Sequence, residues 1–408
     1  MNVLLLGNGF DIYYKLPTQY INFLNTVDFL IKNYSDEMRS IGDVFSSGTL
    51  QCKDEFIKDC YNAHKETFDI TLLNDDKIRE IISLTKNNIW FSYLLKSFNK
   101  NVGWIDFEKE IAFVVKAFKD FFENNKIKFN IYAEFSEDIE YIIRFFGFFF
   151  EKIDTDMING PSHKVKAEFT VEYPLNSKNY IIDKEKIAKV LSNELNNLAD
   201  ALKLYLRCFV ENSLEFIKEE KNFELFKALS PANLVVTFNY TNTYEKFYSN
   251  NESYHLHGNI NDKIVLGINP DEFDDLETVD TSLLSFKKYF QRTMYETDSE
   301  YLRWINSFSG DIGHYTLIVM GHSLDVTDKD IISEMFSNAV NIYILYHNSR
   351  AKALYISNLI KKVVLGKLFP IFLSTVLKSL VPTNMPITAV LPPAANNYSL
   401  LQKLQKVN

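Results

Sequence analysis

Two histidines one residue apart and followed by glycine, His255-Leu-His257-Gly258, carry the sharpest chemical signal in the sequence. Imidazole is the side chain whose ordinary pKa lies nearest neutrality, so it suits a general base, a proton shuttle or a metal ligand. In a strand, residues i and i+2 share a face. The pair then reads as a metal pair, as one base with a structural companion, or as two surface residues of an edge strand; Gly258 after His257 favours an imidazole presented at a strand end. Just upstream, Thr237-Phe-Asn239-Tyr-Thr241 places an amide that both donates and accepts. Such a side chain can hold a carboxamide, a ribose hydroxyl or a water, or simply cap a turn.

Two further motifs bracket the chain. Gly7-Asn8-Gly9-Phe10-Asp11 follows an apolar run and suggests a turn whose amides, with the positive end of a following helix, face an anion. It lacks the third glycine of a dinucleotide fingerprint, where Ile12 stands, and has no P-loop lysine. A plain strand-to-loop turn with Asp11 as a helix cap explains it equally well. Gly321-His322-Ser323-Leu-Asp325, with Asp328 beyond, fails as a nucleophile elbow because Asp325 replaces the closing glycine. As a binding motif, Gly321 admits close approach and Ser323 donates to a phosphate or ribose.

These motifs need a frame. Val3–Leu6, Leu234–Phe238, Tyr254–Leu256, Ile264–Leu266, Thr316–Met320 and Ile342–Leu345 are short, continuous apolar runs, most rich in β-branched residues. Runs of that kind, bounded by turn residues, predict buried parallel strands. Because the chain holds only 13 glycines, it matters that Gly7, Gly9, Gly258, Gly267 and Gly321 fall at or just past these runs. The fold class expected is α/β with an open, mainly parallel sheet whose carboxyl edge binds a ligand.

Between the first and second runs the texture changes. Trp90–Phe98, Trp104–Glu123, Ile139–Lys152 and Lys184–Glu220 repeat apolar residues at spacings of three and four, which predicts a large helical insertion between the first two core strands. The aromatic run Phe145–Phe150 reads as its core. Asn159–Asn179, with two prolines, predicts a hairpin or loop, and Asp271–Asp280 a surface loop. The division expected is an α/β nucleotide-binding core of residues 1–45 and 230–365, a mainly helical insertion of 46–229, and a Pro-rich segment, 366–408, in which Leu368–Pro393 fits neither helix nor strand period.

Composition narrows the class. With 44 basic and 53 acidic side chains the formal net charge is −9, and 46% of residues are hydrophobic. That is ordinary globular chemistry, not disorder or a disulfide scaffold. An acidic balance disfavours nucleic acid as a partner. Cys52, Cys60 and Cys208 form no C-x-x-C pair, so no cysteine zinc site is expected and a reducing, cytoplasmic location is. No run approaches the ~20 apolar residues of a membrane span.

Taken in order, Gly7 to Tyr20, Trp104-Ile-Asp-Phe-Glu108, Phe238–Thr241, His255–Gly258 and Gly321–Asp325 resemble the AbiH family, bacterial proteins of abortive infection against bacteriophage. The resemblance runs from residue 1 to about residue 350. In outline the same order is similar to the sirtuin-type, Rossmann-like nucleotide fold, with the Leu16-Pro17 step after the glycine turn. That likeness implies NAD or a related nucleotide at the sheet edge. It implies that His257 corresponds to a catalytic histidine and Asn239 to an asparagine near the nicotinamide ribose, with Gly7, Asn8, Gly9, Phe10, Gly258, Gly321, His322, Ser323 and Asp325 around the nucleotide. No four-cysteine zinc module lies between His257 and Gly321, which disfavours protein deacetylation. The implied activity is hydrolysis of the nicotinamide glycosidic bond, with Asp11 or Glu108 stabilising positive charge on the ribose. Two other readings stand beside it: a non-catalytic nucleotide sensor contacted by a phage or host protein, and a metal-dependent hydrolase or nuclease using His255, His257, Asp11 and Asp325. Self-association into a homo-oligomer is left open.

Overall fold

The computed structural model describes residues 2–34, 44, 57–58, 68–100, 105–123, 126–128, 131–132, 136–154, 161–172, 179–217, 232–248, 253–269, 281–297, 315–324, 328–346, 349–364 and 376–379. Six strands form its main sheet: β1 (Asn2–Leu6), β2 (Leu234–Thr237), β3 (Ser253–His255), β4 (Tyr315–Met320), β5 (Ala339–Tyr346) and β6 (Val376–Ser379). Their order is β6-β5-β4-β1-β2-β3, and every pair is parallel. Continuous apolar runs are what a sheet covered on both faces requires. Val3 and Leu5 join one apolar cluster, with Val236 and Leu317, while Leu4 and Leu6 join another, with Val235 and Met320.

From β1 the chain builds outward through β2 to β3 and then starts again on the other side at β4. The order therefore switches between β1 and β4, where loops leave the carboxyl ends in opposite directions and open a crevice. The helix α1 (Gly9–Tyr13) leaves β1 at this point.

Between β1 and β2 also lie α2 (Tyr20–Asn33), α3 (Asp75–Thr85), α4 (Ile89–Lys100), α5 (Phe107–Glu123), α6 (Glu137–Phe145) and α7 (Lys184–Tyr205), the last continuing through a π-turn into α8 (Glu211–Phe216). They share an aromatic core in which Phe118 packs edge-on against Phe146 and Phe148, and the Trp90 indole donates to the Leu191 carbonyl at 2.9 Å. Beyond β2 come α9 (Thr243–Tyr248), α10 (Lys288–Tyr295), α11 (Lys329–Ser337) and α12 (Ser349–Val364).

Three expectations need revision. Helix α6 stops at Phe145 because Gly147, at φ +78°, closes it with paired bonds, Phe148 N–H to the Ile143 carbonyl and Gly147 N–H to that of Arg144. The rest of the aromatic run is a strand, Phe149–Asp154, paired antiparallel with Pro161–Val165. Second, Ile264–Leu266 is no sheet strand: Val265 N–H binds the His257 carbonyl, and both backbone groups of Leu266 are taken by the Gln291 amide. Third, within Leu368–Pro393 the residues of β6 form an edge strand. The remainder of that segment, Asp271–Asp280, Cys52 and Cys60 lie outside the described residues. Among the described residues no helix is long and apolar enough to cross a membrane.

At the switch point two turns touch. A Cβ on Gly321 would lie 2.2 Å from Phe10 N and 2.5 Å from Gly9 C, and Gly321 sits at φ +73°. We expect Gly321→Ala to lower the unfolding free energy by about 2–4 kcal/mol, the sum of left-handed strain and overlap with backbone. Urea denaturation checks it; a loss under about 1 kcal/mol contradicts this packing.

Candidate functional site

The crevice holds a cleft of about 300 Å³. Its floor is the carboxyl edge of the sheet, with Gly7, Asn239, Thr241 and Gly321, and its far wall comes from the helical insertion, with Tyr20, Ile105, Glu108 and Leu206. The loop between α1 and α2 closes one side. It is fixed where the Tyr205 hydroxyl donates to the Pro17 carbonyl at 2.8 Å, where Tyr20 stacks on Phe107 at 4.0 Å, and where the Thr18 hydroxyl donates to Asn8 Oδ1 at 2.6 Å.

Two buried oxygens on this cleft lack a hydrogen-bond partner, Asp11 Oδ1 and Asn239 Oδ1. Their residues are 1% and 6% exposed, so each atom is a cost that a ligand or water would remove. Asp11 is no helix cap. It is the third residue of α1, and its Oδ2 accepts from the Thr241 hydroxyl at 2.6 Å, which in turn accepts from Thr243 at 3.0 Å. Burial pushes its carboxyl up to about 6 against the pull of these neighbours.

The two histidines part company. Strand β3 ends at His255, and Gly258, at φ +75°, turns the chain, its N–H bonding the His255 carbonyl. His255 Nδ1 donates to the Asn239 carbonyl at 2.8 Å, and its Nε2 lies 3.4 Å from Glu245 Oε1, so it props the Asn239 loop from behind. His257 Nε2 instead lies 3.1 Å from Asp328 Oδ1, off the line of a hydrogen bond. The metal-pair reading fails on this divergence, and among the described residues no cluster of three or more His, Cys, Asp or Glu has the geometry to hold a metal ion.

Behind His257 is a charge cluster. Lys288 Nζ, on α10 and 2% exposed, lies 2.8 Å from Glu108 Oε2 and 2.8 Å from Asp328 Oδ1. Asp328 Oδ2 faces His322 Nε2 at 3.4 Å, while His322 Nδ1 accepts from Leu324 N–H at 2.9 Å. Asp328 precedes the first turn of α11 without capping it by side chain, because its carboxylate is committed here. The Lys288 cation and His257 hold Asp328 well below the usual carboxylate range despite burial. Glu108 is raised to about 7, chiefly by burial, with Lys288 opposing. Burial first, then the Lys288 cation, lowers His257 to about 4, so its imidazole is neutral near pH 7. Asp328 beside Nε2 favours the Nε2–H tautomer and leaves the lone pair on Nδ1.

Of the residues singled out from sequence, Gly7, Asn8, Asp11, Glu108, Asn239, His257, Gly321, His322 and Ser323 line the cleft. Phe10, Gly9, Gly258 and His255 do not. Phe10 is 1% exposed and packs among Tyr14, Tyr244 and Tyr248 as core. Gly9 lies against Gly321, and Gly258 against the Lys263 carbonyl, where a Cβ would sit at 1.9 Å. Asp325 lies outside the described residues. Nor does the first turn cradle an anion with all its amides: Gly7 N–H is taken by the Met320 carbonyl, Gly9 N–H by that of Gly321 and Phe10 N–H by that of Gly7. The sequence analysis names Asp328 beside the Gly321 motif without a role and does not name Lys288. The Trp104-Ile-Asp-Phe-Glu108 motif also leads to the cluster: Asp106 caps α5 through Glu108 and Lys109 N–H, and Glu108 thereby meets Lys288.

Fold and cleft together define a parallel α/β protein with a buried, ionisable pocket where its strand order switches, walled by a helical insertion. The family model described as bacteriophage abortive infection AbiH matches residues 3–347, and the chain belongs to that family, which places it among proteins of defence against bacteriophage. No curated protein and no solved structure matches the chain.

A carboxyl raised by folding stabilises the folded state most below its unfolded pKa, and that stabilisation is lost as pH rises through the folded value. For Asp11 the window runs from 3.8 to about 6. Asp11→Asn keeps an acceptor for Thr241 and removes the buried charge. Its stability relative to wild type should therefore rise by about 2 kcal/mol between about pH 4 and about pH 8. Urea melts at the two pH values check this; a gap independent of pH contradicts it.

Proposed function

We propose that the cleft binds NAD or a related ribonucleotide and hydrolyses its N-glycosidic bond, as the effector step of the abortive-infection response. One observation carries this reading: two buried oxygens without hydrogen-bond partners, Asp11 Oδ1 and Asn239 Oδ1, line one cleft with the His257 ring at the switch point of the sheet. Its strand order, β3-β2-β1-β4-β5-β6, is that of doubly wound dinucleotide-binding folds, in which the ligand lies at this point. The order of the glycine turn, Asn239, His257-Gly258 and the Gly321 motif, similar in outline to that of the sirtuin-type fold, favours the same placement.

The chemistry asks little of a base. When the bond between ribose C1′ and the pyridinium nitrogen breaks, its electron pair stays on nitrogen, nicotinamide leaves neutral, and C1′ becomes an oxocarbenium ion. An anionic Asp11 stabilises that cation. Asn239 holds the ribose or the attacking water, the water oxygen bonds to C1′, and its proton passes to His257 or to the carboxylate of Glu108.

A second reading has its own support. An imidazole lowered to about 4 is a weak base at neutral pH, which suits a pocket that binds a nucleotide and senses infection through a phage or host protein without turnover.

The full chain incubated with NAD should release nicotinamide. Removing one catalytic or positioning side chain should slow this by about 100-fold or more in His257→Ala and Asn239→Ala. Chelator should leave the rate unchanged. Tight binding without release selects the sensor; a wild type that neither binds NAD nor outpaces the variants, alone or with lysate of infected cells, refutes both.

A further inference from the structure

We infer that the cleft recognises the ribosyl-pyridinium end of its ligand, a cationic N-riboside, and makes no demand on a phosphate. This rests on the proposed binding of a pyridine nucleotide and narrows it to one part of that molecule.

The charges argue first. Among the described residues, the lining of the cleft contains Asp11, Asp106, Glu108 and Asp328 but no lysine or arginine. Lys288, close behind, is engaged by Glu108 and Asp328 and is 2% exposed. Asp106 is likewise paired, with Lys109 at 3.3 Å, so a phosphate entering here would meet the Asp11 carboxylate, which among the described residues hydroxyls support and no lysine or arginine neutralises, whereas a delocalised pyridinium would be attracted.

The hydrogen-bonding groups argue independently. In the first turn, three backbone N–H groups that an anion-binding turn would use are occupied, as Gly7, Gly9 and Phe10 each donate to a protein carbonyl. The buried oxygens of the cleft that lack partners are both acceptors: Asp11 Oδ1 and Asn239 Oδ1 are without donors. Their complement is a ligand rich in donors. A riboside brings two vicinal hydroxyls and the nicotinamide carboxamide brings an NH₂, while a phosphate brings acceptors to acceptors.

The inference separates three ligands of the wild-type protein: NAD⁺, nicotinamide riboside, and its reduced, uncharged dihydro form. Saturation-transfer NMR titrations read binding and any nicotinamide release in the same sample. Nicotinamide riboside should bind within about threefold of NAD⁺, since one lost charge-assisted hydrogen bond would already cost about tenfold or more. The reduced riboside should bind about tenfold or more weakly, and Asp11→Asn should shrink that preference for the cation. NAD⁺ binding with the riboside about tenfold or more weaker would overturn the inference while leaving nucleotide binding intact. Equal binding of oxidised and reduced ribosides would likewise overturn it. If none of the three binds, the parent reading falls and takes this one with it.

Discussion

A buried lysine organises this molecule. Lys288 brings one cation to two carboxylates, each at 2.8 Å, in a region where all three groups are largely withdrawn from water. Withdrawing charges is costly, and an arrangement of this kind holds only while complete: taking away one partner of a buried pair costs about 3–5 kcal/mol because the other charge is left uncompensated. The partners come from distant parts of the chain. Glu108 belongs to the helical insertion, Lys288 to the long crossover between β3 and β4, and Asp328 to the start of α11. The ion cluster is thus a three-way seam, and the cleft exists where the seam holds the insertion over the sheet edge.

Electrostatics in the cleft follow from the seam. Lys288 satisfies Asp328, and its field, added to burial, keeps His257 neutral. Asp11, elsewhere on the cleft, is supported by hydroxyls instead of a cation, and burial raises its carboxyl to about 6. One carboxylate is held fully ionised and another within reach of neutral pH by environment alone. Leaving Asp11 Oδ1 and Asn239 Oδ1 without donors reduces stability, a concession expected where binding is at stake.

Much of the frame was legible in the sequence, and the reason is geometric. Strands covered on both faces must be apolar without alternation, so β1, β2, β4 and β5 stand out, and the helical periodicity between β1 and β2 marks the insertion. Ile264–Leu266 shows the limit: an apolar run signals burial, while the partner that takes its backbone bonds, here the Gln291 side chain, is a tertiary matter. Gly7, Gly9, Gly258 and Gly321 fall just past strands as the runs predict, while Gly267 follows a run that is no strand. Gly9 and Gly321 are small so that two turns can touch each other, and a sequence does not say whether the close approach is to a ligand or to another loop. His255 and His257 look like a pair only until a left-handed glycine redirects the chain. Lys288 was invisible, because a lysine in a charged, amphipathic stretch reads as a solvated face and only the assembled fold brings acids to it from both sides.

Burial, with the field of Lys288 added to it, holds the His257 imidazole neutral. The direct measurement is the pH titration of the His257 ring by heteronuclear NMR, in wild type and in Lys288→Met. The prediction is an imidazole that stays neutral down to the region of its lowered pKa of about 4 in wild type and titrates at higher pH in the variant. A His257 that titrates at an ordinary value of about 6.5 in wild type, unmoved by the substitution, would contradict it.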